Sequence, residues 1–103
     1  MELKDNSGRL EVELPGALDL AGAGELRDLL LDALAKDSAA DVVLNGAAVE
    51  RISTAAVQVI LAGAPAFRTA ARQLEIEAPS QALTAAFRQL GLGADFDKLC
   101  VIA

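Results

Sequence analysis

Apolar and polar residues follow two different periods along this chain, and the changes of period divide it into elements. Residues 9–14 and 73–78 alternate apolar with charged side chains, which predicts strands with one face in solvent. Residues 41–45 form an apolar, β-branched run, typical of a strand buried in the middle of a parallel sheet. Shorter strands are expected at residues 1–4 and 98–102. Five strands are therefore predicted.

Three segments between these strands carry apolar residues at helical spacing, at residues 19–35, 53–71 and 80–90. Each begins with a residue whose side-chain oxygen can accept from the free N–H groups of a first helical turn. These predicted N-caps are Asp19, Ser53 and Ser80. Inside the second segment Pro65 removes a backbone donor, so we expect a kink or break between Leu61 and Pro65.

The order of these elements defines the expected fold class. Strand, strand, helix, strand, helix, strand, helix, strand predicts a single α/β domain over residues 1–103. Its sheet is mixed but mostly parallel, with helices packed against it and an antiparallel N-terminal hairpin that turns at residues 5–8. Loops at the carboxyl ends of parallel strands carry function, and residues 15–19 and 46–54 are two such loops that could lie side by side.

Composition and charge narrow the kinds of partner. Nine basic against fifteen acidic residues give a net charge of −6, which argues against nucleic acid and against an anionic membrane surface. The uncharged run at 52–67 is too short and too polar to insert into a membrane. The single cysteine, Cys100, lies in an apolar run and is expected to be a small buried hydrophobe in a cytoplasmic protein.

Several side-chain constellations typical of catalysis are missing. The chain has no histidine, which removes Ser-His-Asp triads, histidine-based zinc sites and phosphohistidine relays. It also lacks a glycine-rich phosphate loop and a paired-carboxylate constellation. We therefore expect no enzyme activity, no catalytic residue, no metal site and no cofactor, and we interpret the chain as a binding module.

The candidate site is the helix start that follows the central strand. Ser53 and Thr54 are adjacent hydroxyl residues where free N–H groups and the helix dipole favour an anion. They could be a plain cap with its first-turn neighbour, or they could include a phosphorylatable hydroxyl. Asp19, mainly a cap, Arg51 and Gln58 are candidate contacts beside them.

Four segments together resemble the STAS domain, the fold of anti-sigma factor antagonists and of the cytoplasmic tails of sulfate transporters. They are the turn Pro15-Gly-Ala-Leu-Asp19, the strand Asp41-Val-Val-Leu-Asn45, the helix start Ser53-Thr-Ala-Ala-Val-Gln58 and the stretch Leu83-Thr-Ala-Ala-Phe87-Arg-Gln-Leu-Gly-Leu92. The central motif looks most like that of stand-alone STAS proteins in bacterial chemotaxis and signalling operons. The resemblance covers essentially the whole chain.

The resemblance implies a regulatory protein-interaction module in which a partner serine kinase phosphorylates Thr54, with Ser53 the weaker candidate. The partner surface it implies consists of Asp19, Arg51, Ser53, Thr54, Ala55 and Gln58. The implied partner is an anti-sigma factor with serine kinase activity or a signalling histidine kinase; the alternative is the ATPase of an ABC lipid-transport complex. Two positions depart from the family pattern: Ser53 replaces an aspartate and Ala56 replaces a glycine. Ser53 cannot supply the lost charge, so a phosphorylated and a permanently unmodified surface both stay open.

Overall fold

A four-stranded sheet with helices on one face organises the chain. The computed structural model describes residues 1–36 and 39–100. The strands are β1 (Lys4–Asn6), β2 (Arg9–Glu13), β3 (Ala17–Leu18), β4 (Val42–Asn45), β5 (Arg51–Ile52) and β6 (Leu74–Glu77). The helices are α1 (Leu20–Ala35), α2 (Thr54–Thr69), α3 (Gln81–Gln89) and α4 (Gly93–Leu99). The prediction of a mixed α/β domain is confirmed.

The main sheet has the order β1-β2-β4-β6, antiparallel between β1 and β2 and parallel elsewhere. Val12, Leu44 and Ile76 lie in one register row, and all three are fully buried in the core that the helices cover. The neighbouring row, Glu11, Val43 and Glu75, points to the opposite face because strand side chains alternate. The apolar and charged residues of β2 and β6 therefore alternate because helices cover only one face of the sheet.

The open face of the sheet carries acidic residues, as the pattern predicts. Arg9 donates to Glu11 at 2.8 Å and to Glu77 at 3.0 Å across this face. Hydrogen bonds from Arg9 and then Asn6 hold the pKa of Glu11 below its usual value. Val43 is only 2% exposed although it lies on this face. The buried central strand is therefore apolar on both sides, as expected.

The N-terminal hairpin is tighter than predicted. Its turn consists of Ser7 and Gly8 alone, with φ values of 55° and 85°, so β1 occupies Lys4–Asn6 and the strand expected at residues 1–4 is misplaced. Two consecutive positive φ angles are typical of the two-residue turn whose twist matches that of paired strands.

Of the kink or break predicted between Leu61 and Pro65, the break is wrong. Helix α2 continues from Thr54 to Thr69 with Pro65 inside it. Ile60 and Phe67, on either side of the proline, are both fully buried. Packing along the whole helix outweighs the loss of one backbone hydrogen bond.

The strand predicted at residues 98–102 is wrong for Lys98 and Leu99, which end helix α4. Phe96 of this helix packs against Phe87 with ring centroids 4.9 Å apart, and this contact holds α4 on α3. Cys100 then forms an isolated parallel bridge with Ile76 at the edge of the sheet. The remainder of the predicted strand, and residues 37 and 38 at the predicted end of the first helix, lie outside the described residues.

The end of α3 differs slightly from the expectation. Ser80 caps the helix, accepting from the Leu83 N–H at 3.1 Å, and Leu83 and Phe87 are buried as predicted. Leu90 continues the apolar spacing of the predicted helix over residues 80–90, but it is 45% exposed because it is the C-cap, beyond the packed turns.

Helices α2 and α3 end in the same backbone motif with different residues. Arg72 N donates to Phe67 O and Ala71 N to Arg68 O, while Leu92 and Gly91 make the corresponding bonds at the end of α3. The left-handed position is Ala71 (φ 58°) in one motif and Gly91 (φ 76°) in the other. Alanine is strained in this conformation and glycine is not.

We therefore expect Ala71→Gly to raise the free energy of unfolding by about 1 kcal/mol. The matched change Gly91→Ala should lower it by a similar amount. Denaturant unfolding of both variants measures the difference. A loss of stability in Ala71→Gly would show that strain at this helix end is negligible.

Candidate functional site

Two short strands bring the starts of α1 and α2 together. β3 and β5 pair in parallel, with Leu18 opposite Ile52, and Ser53 N donates to Leu18 O at 2.7 Å. Each strand runs directly into its helix, so the N-termini of α1 and α2 lie side by side. The two loops predicted to be neighbours are neighbours. Both were predicted as irregular, and each contains a two-residue strand.

Each helix start is capped by its own side chain. An Asp19 carboxylate oxygen accepts from Gly22 N at 2.8 Å, and the Ser53 hydroxyl accepts from Ala56 N at 3.1 Å. Both predicted caps are confirmed. A Cβ on Gly22 would lie 3.4 Å from the capping carboxylate oxygen, which is an ordinary van der Waals contact. Ser53 is therefore engaged in holding the helix start.

Thr54 is the first residue of α2 and its side chain is exposed. Its hydroxyl makes no side-chain hydrogen bond within residues 1–36 and 39–100, in contrast to that of Ser53. The free N–H groups of a first turn and the helix dipole stabilise an anion at such a position. Of the two adjacent hydroxyl residues, Thr54 is exposed and free of side-chain partners, whereas Ser53 is half-buried and engaged as the cap.

The other predicted partner residues lie around Thr54. Arg51 is exposed in β5, and its guanidinium has no ion-pair partner in the described part of the chain. Gln58 is exposed on α2 one turn beyond Thr54. Ala55 is only half-buried and packs against the core. The structure brings these residues to one end of the sheet, and their role in binding stays a prediction.

Leu20 is a surface feature that sequence reasoning missed. It is the first residue of α1, directly after Asp19, and its side chain is 75% exposed. Gly24, Arg27 and Leu31 follow at spacings of four, three and four, and all are exposed. These residues lie on a different face of α1 from the buried stripe that contains Leu26 and Leu30. Their spacing was the sequence signal that could have identified Leu20 as exposed. An apolar side chain of this size left in solvent beside Thr54 suits a contact surface.

The comparisons with known proteins agree with this architecture. A family model described as "Mlab, STAS domain" matches residues 1–101. This chain belongs to the STAS family. No curated protein matches the sequence.

Two solved structures share the STAS fold with this domain. The first is the anti-sigma factor antagonist SpoIIAA in its unphosphorylated form, with a TM-score of 0.77, 19% identity and coverage of 99% of this chain and 86% of that one. The second is the Bacillus cell fate determinant SpoIIAA in the phosphorylated form, with a TM-score of 0.73, 18% identity and coverage of 99% and 89%. These likenesses establish the fold.

Outside the paired helix starts, the described part of this STAS domain has neither an activated cysteine nor a cluster of metal-binding side chains. Cys100 is half-buried, and burial, followed by the charge of Asp97, raises the pKa of its thiol, which disfavours a reactive thiolate. Within the described residues, no group of three or more His, Cys, Asp or Glu side chains could hold a metal ion. Across residues 1–36 and 39–100 no helix combines the length and apolar character needed to cross a membrane.

Proposed function

We propose that this STAS domain is a non-catalytic, cytoplasmic regulatory module that binds a protein partner at the paired starts of α1 and α2. The observation that carries the proposal is the exposed Thr54 at one helix start, with the exposed Leu20 at the other. The strand pairing of Leu18 with Ile52 fixes the two starts relative to each other. A partner therefore meets a preformed surface with an apolar anchor and a hydroxyl, which reduces the entropy cost of binding.

Phosphorylation of Thr54 is the proposed control. Phosphate would add about −1.5 to −2 charge at a helix N-terminus, where the free N–H groups favour it, so the fold would tolerate the modification. A partner packed on the unmodified surface would have to bury this charge beside the Asp19 carboxylate. Burial of an uncompensated charge costs several kcal/mol, so binding would be lost.

The partner we favour is an anti-sigma factor with serine kinase activity or a signalling histidine kinase. The likeness to an anti-sigma factor antagonist, solved in unphosphorylated and phosphorylated forms, supports this choice. The second candidate is the ATPase of an ABC lipid-transport complex, which would use the same surface without modification. One observation supports this second candidate. Ser53 is neutral and engaged as a cap, so it cannot help to position the nucleotide and metal of a kinase that would phosphorylate Thr54. Co-purification distinguishes the two by the class of protein recovered.

We expect Leu20→Ala to weaken binding of the co-purified partner at least about fivefold, because truncation of a central apolar anchor typically costs more than about 1 kcal/mol. Its melting temperature should hardly change, since the side chain is largely in solvent already. Leu31→Ala is the matched control on the same helix, 49% exposed and three turns away. Isothermal titration calorimetry measures the affinities. Equal affinities for the two variants would place the partner elsewhere on the domain.

A further inference from the structure

A groove lies far along α2 from the paired helix starts. It runs between the second half of α2, the start of β6 and helix α4, and its volume is about 850 Å³. We call it the α2–α4 groove. Pockets of this size accept small organic molecules. Leu61, Pro65 and Ala71 supply its accessible apolar surface, whereas Leu74 and Leu99, which also line it, are buried.

The charge of the α2–α4 groove is opposite to that of the protein. Arg68, Arg72 and Lys98 line it, whereas Asp95 is the single acidic residue among its described lining residues. Arg68 and Lys98 are exposed, and neither has an ion-pair partner among the described residues, even with Asp95 in the same groove. A local cationic site in a protein of net charge −6 complements an anion.

The two exposed cations, Arg68 and Lys98, also have a simpler explanation. They lie in the last turns of their helices, where positive charge complements the helix dipole. Arg88 in the last turn of α3 serves that purpose outside the groove. The dipole accounts for one cation at each helix end. It does not account for the partly apolar groove that lies between two of them.

We propose that the α2–α4 groove binds a small organic anion with an apolar body. Its carboxylate or phosphate group lies beside Arg68 and Lys98, and its apolar part covers Leu61, Pro65 and Ala71. Arg72, which also lines the groove and is 3% exposed, adds positive potential there. This site is separate from the paired helix starts, so its test does not depend on a protein partner.

Amide chemical-shift titration of the full chain with phenylbutyrate tests the proposal. We expect saturable shifts confined to residues 61–74 and 95–99. The neutral phenylbutyramide and inorganic phosphate should each bind at least about tenfold more weakly. The amide lacks the negative charge, and phosphate lacks the apolar body. Equal binding of the amide, equal binding of phosphate, or shifts located elsewhere would each overturn the proposal.

The double variant Arg68→Gln/Lys98→Gln should weaken phenylbutyrate binding about tenfold or more, while the matched control Arg88→Gln should bind as the wild type does. If the double variant fails to fold, the affinity of the wild-type protein for phenylbutyrate is measured at increasing salt concentration instead. Affinity should then fall as salt screens the cations. Unchanged affinity in the double variant, or salt-independent binding where salt is the readout, would contradict the assignment.

Discussion

Replacing Arg72 with methionine is expected to lower the free energy of unfolding by about 3 kcal/mol. The Arg72 guanidinium is 3% exposed and donates to Ala40 O at 2.7 Å and to Ala33 O at 2.8 Å. It also stacks on Phe67, with its central carbon 5.0 Å from the ring centroid. It thereby links the end of α2 to the last turn of α1 and to the segment before β4. Methionine keeps the apolar stem and removes these bonds.

The matched control is Arg68→Met, because Arg68 is exposed four residues earlier and its guanidinium makes no hydrogen bond within the described chain. Its change should stay within about 0.5 kcal/mol. One Arg72 donor, Nη2, has no partner among the described residues, and its loss offsets part of the cost. Urea unfolding gives both values. Similar stability of the two variants would show that the buried Arg72 does not hold the helices together.

The alternating and helical patterns predicted most of the layer structure. Leu10, Val12 and Leu14 alternate with charged residues because one face of the sheet is covered and the other is open. Asp19, Ser53 and Ser80 were recognisable as caps because a helix start requires a side-chain acceptor in the absence of backbone partners. These features depend on local chemistry, which the sequence displays directly.

The features missed by sequence reasoning depend on distant contacts. Helix α4 is one of these, since its seven residues are held by Phe96 against Phe87 and by the buried Leu99 rather than by a long apolar repeat. Strands β3 and β5 have two residues each and exist because they pair with each other. The unbroken α2 at Pro65 also depends on packing, here of Phe67 in the core.

The position of the candidate site was predictable, but its composition was only partly so. The sequence predicted that Thr54 lies at a helix start and that the loop before it lies near the loop that contains Asp19. The division of roles between two adjacent hydroxyls needed the structure, which assigns the cap to Ser53 and leaves Thr54 exposed. The exposed Leu20 likewise became visible only when α1 had a fixed orientation on the sheet.

Replacing Thr54 with glutamate is expected to weaken partner binding at least about a hundredfold, or about 2.7 kcal/mol. The carboxylate would lie where the proposed partner packs, beside the capping carboxylate of Asp19. Stability should change by less than about 0.5 kcal/mol, since a negative charge is tolerated in a first helical turn. Thr54→Val, similar in shape but without charge or hydroxyl, is the matched control and should keep the wild-type affinity.

The affinity of the co-purified partner for the Thr54→Glu and Thr54→Val proteins, measured by calorimetry at equal thermal stability, tests the central claim most directly. The account predicts loss of binding for glutamate and retained binding for valine. Retained binding for both would contradict it, because Thr54 would then lie outside the surface that the partner contacts.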